Sequence, residues 1–159
     1  METTIANQTN TRSDLPTYTV AVDYSRSLEE MIAAGEYDSV NGNITPDHFP
    51  IKGQGKQEGA VTLFHFNRDM ESDEVIAEMD KAEHRPAVIE ELLAFGESHA
   101  ALQREFPIIA LGSRWQIPHD TISRVPELGL RGSSSDRYLN AVWLENKWDD
   151  NYRFLAVRK

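Results

Sequence analysis

Apolar and polar side chains alternate between Thr17 and Asp23 (TYTVAVD), which predicts a first strand with one face toward a core. The same period over Ala60–Asn67 (AVTLFHFN) predicts a second, with His65 on the face opposite Phe64 and Phe66. Helical spacing takes over elsewhere. Leu28, Met31 and Ile32 share one side of a short helix that Ser27 caps and Gly35 ends, with Glu29 and Glu30 in its first turn. Ser72 begins a helix over Asp73–Glu83 with Val75, Ile76 and Met79 as its inner stripe. Pro86 suits the first turn of a third helix, in which Val88, Ile89, Leu92, Leu93 and Phe95 form a broad apolar side and Gly96 closes it. Leu102 and Phe106 predict one more helical turn before Pro107.

The second half reads as short strands. Ile108–Gly112 is wholly apolar, as in a strand buried on both faces. Strands follow near Ile122–Leu128, Tyr138–Leu144 and Tyr152–Val157, separated by Pro, Gly and a serine triplet at 133–135. The stretch 36–57, with Gly42, Pro46, Pro50, Gly53 and Gly55, predicts a long irregular connection. Residues 1–16 are polar and read as a flexible tail before a single domain over 17–159. The order of elements predicts an α+β fold: two or three helices on short, mainly antiparallel strands with long loops.

The closing stretch, Arg137–Lys159, carries the strongest hint of function. Tyr138, Asn140 and Val142 recur at every second residue, so they share one strand face while Leu139, Ala141 and Trp143 share the other. The pattern is that of a fixed frame displaying miscellaneous side chains. Trp115, Trp143, Trp148 and Phe154 are expected to build the frame. The display residues set into it are Tyr138, Asn140, Val142, Asn146, Asp149 and Asn151. Tyr and Trp with Ser, Gly and Asn are also the side chains of antibody loops: large contact area at low entropy cost, with adaptable hydrogen bonding.

Charge narrows the partner. The net charge of −10 divides into −12 over residues 1–105 (8 basic, 20 acidic) and +2 over residues 106–159 (8 basic, 6 acidic). An acidic body argues against nucleic acid, since phosphate binding needs basic surface. The near-neutral C-terminal third is the better partner face, and a protein surface is the expected ligand. There is no cysteine, hence no disulfide frame, thiol nucleophile or thiolate metal site. No apolar run approaches the roughly 20 residues of a membrane span, and the N-terminus does not read as a secretory signal. A cytoplasmic protein is the default expectation, with display on a cell or virion surface left open.

Catalytic motifs are missing from the sequence. It holds no Walker loop, no G-x-G-x-x-G and no G-x-S-x-G, and the five histidines stand in no informative spacing with the serine triplet. No cofactor is expected. Two other classes stay open: a small hydrolase using His65 or His119 with nearby carboxylates, and an acidic interaction or inhibitor module acting through residues 69–83.

The residues of Arg137–Lys159 also resemble the variable C-terminal region of target proteins of diversity-generating retroelements, which have a C-type-lectin-like fold of the formylglycine-generating-enzyme subtype. Tyr152–Arg158 (YRFLAVR) resembles the final G-F-R-x-x-R strand of that fold. Arg85-Pro86 followed by Ile89-Glu90-Glu91-Leu92-Leu93 resembles its R-P-x-x-x-E-x-x helix. The resemblance covers roughly the second half of the chain. It implies that the terminal strands are neighbours, that the display face lies at one end of the domain and also takes in Glu127, Gly129, Arg131 and Ser134 within a region of about 116–152, and that its codons are rewritten through template adenines. Tyr, Asp, Ser, Val, Gly and Asn are all reachable from an Asn codon in that way. The enzymes of this fold use a cysteine pair that this chain lacks, so the resemblance implies binding and no catalysis. Trp148-Asp149-Asp150-Asn151 resembles a W-N-D calcium motif only in part, with no E-P-N or Q-P-D partner, and no metal is expected.

Overall fold

The computed structural model describes residues 15–132 and 135–159. The expectations for residues 1–14 and for Ser133 and Ser134 lie outside the described residues. In chain order the elements are β1 (Thr17–Asp23), α1 (Leu28–Ala34), β2 (Ser39–Val40), β3 (Lys56–His65), β4 (Met70–Glu71), α2 (Ser72–Lys81), β5 (His84–Pro86) and α3 (Ile89–Ser98). There follow α4 (Ala100–Gln103), β6 (Ile108–Ile109), β7 (Trp115–Gln116), β8 (Ser123–Leu130), β9 (Arg137–Trp143), β10 (Lys147–Trp148) and β11 (Arg153–Arg158). The protein is mixed α+β.

One sheet organises the chain, in the order β1-β3-β11-β6-β8-β9-β2, with β5 also on β11 and β7 also on β8. Its ladders are antiparallel except β11 with β6 and β2 with β9. β4 and β10 form a separate small ribbon. The last strand is central, because Leu155 and Ala156 are apolar on successive residues and buried from both sides. Alternating positions feed two cores. Leu63, Leu128, Leu139 and Leu155 pack with α1 and α3 on one face; Phe64, Val125 and Phe154 pack with α2 and Trp148 on the other.

Local rules account for most boundaries. Ser27 Oγ accepts from Glu30 N at 3.1 Å while Glu30 Oε1 accepts from Ser27 N at 2.8 Å, a reciprocal cap on α1. Several expectations need correction. Pro86 lies in β5, since the backbone reaches α3 only after Val88, extended at ψ 171°. α3 runs through Gly96 to Ser98. It does so because Gly96 is needed for closeness, not termination: a Cβ there would stand 2.1 Å from the Tyr37 hydroxyl. α2 starts at Ser72 and stops at Lys81, short of Glu83, whose φ of 62° is left-handed. The apolar run at 108–112 keeps only a two-residue strand, β6. β3 starts four residues early, at Lys56, because it pairs with all of β1. The helices number four among the described residues, the single turn α4 included. The terminal strands β1 and β11 are not neighbours either, since β3 lies between them.

A buried cation ties the helix ends to the sheet. Arg137, 4 % exposed at the start of β9, donates to Gly35 O at 2.6 Å, to Gly96 O at 2.9 Å and to Gln103 Oε1 at 3.0 Å. These carbonyls close α1 and lie in the last turn of α3, so the negative helix ends face the guanidinium. Gln103 passes the connection on, donating to Gly129 O at 2.8 Å.

Candidate functional site

The predicted display positions meet on the β8–β9 ladder. Gly129 stands opposite Tyr138, Glu127 opposite Asn140 and Val125 opposite Val142, and directly opposed residues share a face. Tyr138, Asn140 and Val142 are half-buried, whereas Leu139 and Ala141 between them are buried. The two-residue alternation therefore puts half-buried and buried side chains on opposite faces of β9 as far as Ala141, whereas Trp143, which shares the face of Leu139 and Ala141, is half-buried. Arg131, exposed, lays its guanidinium 5.4 Å from the centre of the Tyr138 ring and donates weakly to Ser39 Oγ at 3.4 Å.

Other members take more structural places. Asn140 Oδ1 accepts from Asn41 Nδ2 at 2.9 Å and from Ala141 N at 2.8 Å, which fastens β9 to the chain after β2. Glu127 and Gly129 are buried rather than displayed on open surface. Asn146, half-buried, turns the chain by donating its N–H to Trp143 O at 3.2 Å. Asp149 and Asn151 are exposed, and Asp149 Oδ1 accepts from Asn151 N at 2.9 Å, a local turn. Ser134 lies outside the described residues.

The expected frame divides in the same way. Trp148 and Phe154 are both 1 % exposed and meet edge to face with centroids 5.9 Å apart. Trp115 and Trp143 are half-buried instead. They flank Arg124 across adjacent strands: it pairs with Trp115 on one side and Trp143 on the other. The Arg124 guanidinium sits 4.1 Å from the Trp143 ring centre and donates to Ala141 O at 2.9 Å. Trp115 stacks on His48 at 3.7 Å. Both tryptophans thus serve as partners for polar rings and a cation, which keeps them at the rim.

Next to this ladder lies a pocket of about 330 Å³, lined by Gln103–Pro107, Glu127, Gly129, Leu130 and Tyr152. Burial pushes the Glu127 carboxyl up to about 7, and the facing Asn140 amide pulls it down only in part. Burial and the nearby Glu127 and Asp149 charges raise the Tyr152 hydroxyl too. A second pocket, of about 530 Å³, lies at the start of α3 among Tyr24, His48, Lys52, Arg85, Glu90 and Glu91. Arg85 grips Glu91 there with contacts of 3.1 and 2.7 Å, and the Glu90 carboxylate accepts from the backbone N–H of Lys52 at 3.0 Å.

The histidines of the hydrolase alternative do not form a dyad with an acid. His65 donates to Asp150 O at 2.7 Å, and His119 is an exposed turn residue with φ 64°. Among the described residues, no group of three or more His, Asp or Glu is arranged to hold a metal ion, and no helix is long and apolar enough to cross a membrane.

No family model, curated protein or solved structure matches this chain. Its chemistry must therefore be read from its own residues. Two contributors went unnoticed in the sequence, Arg137 and Gln103. An arginine in line with the apolar Leu139 and Ala141 on one face of β9 was the available signal for the first; a lone glutamine in a short helix gave none for the second.

Proposed function

We propose that this protein is a non-enzymatic ligand-binding protein whose ligand, a protein surface, docks on the β8–β9 ladder and the loop 144–152. One observation carries the reading. Tyr138, Asn140 and Val142 lie partly open on one face of β9, while the residues between them are locked into the core. Tyr138 and Asn140 on that face are replaceable without emptying a core, as a display surface requires, whereas Val142 packs against the second core. The pairing of Arg131 with Tyr138 adds an amphipathic anchor of the type that dominates interfaces.

The C-type-lectin-like architecture and diversification by a retroelement are part of the same proposal. Support comes from the residues of β11 and from the long irregular segments around the ladder. The interposed β3 is a departure, so the binding reading rests on the surface and not on topology. Sequencing the DNA around the gene tests the origin. A neighbouring reverse transcriptase and a non-coding near-copy of the 3′ end are expected. Differences should fall at template adenines, in codons between Glu127 and Tyr152, with Arg153–Lys159 unchanged. Differences spread over all four template bases, or no near-copy at all, would overturn the diversification claim.

A further inference from the structure

Glu127 occupies a position on the ladder that costs the free protein stability. It is 8 % exposed, and among the described residues no Lys, Arg or His pairs with it. A buried charge without a counter-ion is ordinarily selected against. Room for it has nevertheless been made. A Cβ on Gly129, two residues along the same strand face, would stand 2.9 Å from Glu127 Oε1 and 3.1 Å from Cδ, so the glycine leaves the space in which the carboxylate lies.

That carboxylate lines the 330 Å³ pocket together with Phe106, Leu130 and Tyr152. The charged groups around it are few. From the α4–β6 connection come Arg104 and Glu105, and the Arg104 guanidinium is engaged by Ser135 O. From the loop before β11 comes the Tyr152 hydroxyl; from β9, the neutral Asn140; from β6, the apolar Ile109, Glu127's register partner. The Arg153 guanidinium lies 4.2 Å from the Phe106 ring centre, so a cation already rests on an aromatic wall beside the pocket.

We propose that this pocket takes a cationic side chain, a lysine ammonium or arginine guanidinium, from the bound partner, with Glu127 as its counter-ion. The inference rests on the binding reading above and names the chemistry of its site. A cation supplies the counter-charge that the carboxylate lacks beside the neutral Asn140 amide, and Leu130, Phe106 and Tyr152 suit the aliphatic stem of such a side chain. A neutral or anionic group would leave the buried carboxylate uncompensated. The net charge of −10 adds long-range attraction for a basic partner.

The test is an amide NMR titration of the 15N-labelled full chain with three probes: acetyl-lysine amide, acetyl-arginine amide and acetyl-norleucine amide. At pH 8 the two cationic probes should shift Gly129, Leu130 and Tyr152 saturably, and norleucine amide should not. Binding should weaken about thirtyfold by pH 5.5, following the ionised fraction of a carboxyl that titrates near 7. Glu127→Gln should abolish the shifts. In the unaltered chain the Glu127 carboxyl 13C signal should titrate at lower pH once lysine amide is bound, a readout independent of any variant's folding. Equal shifts with norleucine amide, no saturable shift, or an unmoved Glu127 titration would overturn the inference. A diversified gene repeat with an unresponsive pocket would sink this inference alone; lysine binding without such a repeat would sink only the diversification claim.

Discussion

Trp148 reaches back across the chain to donate its indole N–H to the hydroxyl of Ser72, 2.9 Å away. The same hydroxyl donates to Leu144 O at 2.6 Å, so one serine at the start of α2 holds both ends of the turn that precedes β10. This joint fixes the base of the 144–152 loop, and Trp148 fills the second core beneath it. Trp148→Ala should destabilise the fold by about 3–5 kcal/mol. Ser72→Ala, which leaves the buried indole N–H and a carbonyl without a partner, should cost about 1–3 kcal/mol. Trp143→Ala, at the half-open rim over Arg124, should cost only about 1–2 kcal/mol. Urea denaturation of the three variants checks the ranking.

Arg137 predicts a second, asymmetric pair of effects. Replacing it with Met leaves Gly35 O, Gly96 O and Gln103 Oε1 facing a buried apolar chain. A loss of about 3–5 kcal/mol is expected. Tyr37, whose ring lies 4.7 Å beneath the same guanidinium, has a buried hydroxyl with no hydrogen-bond partner. Tyr37→Phe should therefore be neutral or stabilising by up to about 1 kcal/mol, because it removes an uncompensated polar group and keeps the ring. Thermal melts that showed a marked loss for Tyr37→Phe would mean that the hydroxyl is bonded in solution.

What the sequence disclosed, and what it hid, divides along the range of the interactions. β1, the Ser27 cap of α1 and the alternation in β9 were legible because each is decided by neighbours within a few residues. The end of α3 was misread at Gly96, where the deciding contact is with Tyr37, about sixty positions away in the chain. The place of β3 between β1 and β11 is likewise set by pairing over long separations. In the site, Tyr138 and Val142 were legible from period two. The burial of Glu127 was not, since its strand reads SRVPELGL with no hint that β6 and β9 would cover both edges.

Glu127 gives a pH signature with a defined sign. Its carboxyl titrates at about 7 in the folded chain against an ordinary value of 4.5, so between these values the folded state binds more protons than the unfolded one. Stability from this group is therefore fully present below about pH 4.5 and is lost as pH rises through 7. The cost at pH 8 is on the order of 3 kcal/mol. Other carboxylates act in the opposite direction: Asp23, bonded by the Ser25 hydroxyl and N–H, is lowered. The measurable quantity is thus the difference between the parent and Glu127→Gln. The variant should gain stability relative to the parent at pH 8, and the gain should vanish near pH 4.5. A constant difference across that range would show that Glu127 does not titrate as its burial requires.

The last prediction separates display from frame within the ladder itself. Tyr138 is half-buried, and Asn151 is exposed with its side chain outside the local turn that Asp149 makes. Tyr138→Ser and Asn151→Ser should each change stability by no more than about 0.5–1 kcal/mol. Asn140 differs although it shares the face of Tyr138, because its Oδ1 receives Asn41 and the N–H of Ala141. Asn140→Ala should cost about 1–2 kcal/mol, and adding Asn41→Ala to it should cost less than Asn41→Ala does alone, since the two remove one shared bond. Melting temperatures of the four single variants and the double variant decide the matter. If Asn140→Ala proves silent while Tyr138→Ser unfolds the chain, the assignment of these residues to frame and display is reversed. The surface that the binding proposal relies on would then shrink to Arg131 and the loop carrying Asp149 and Asn151.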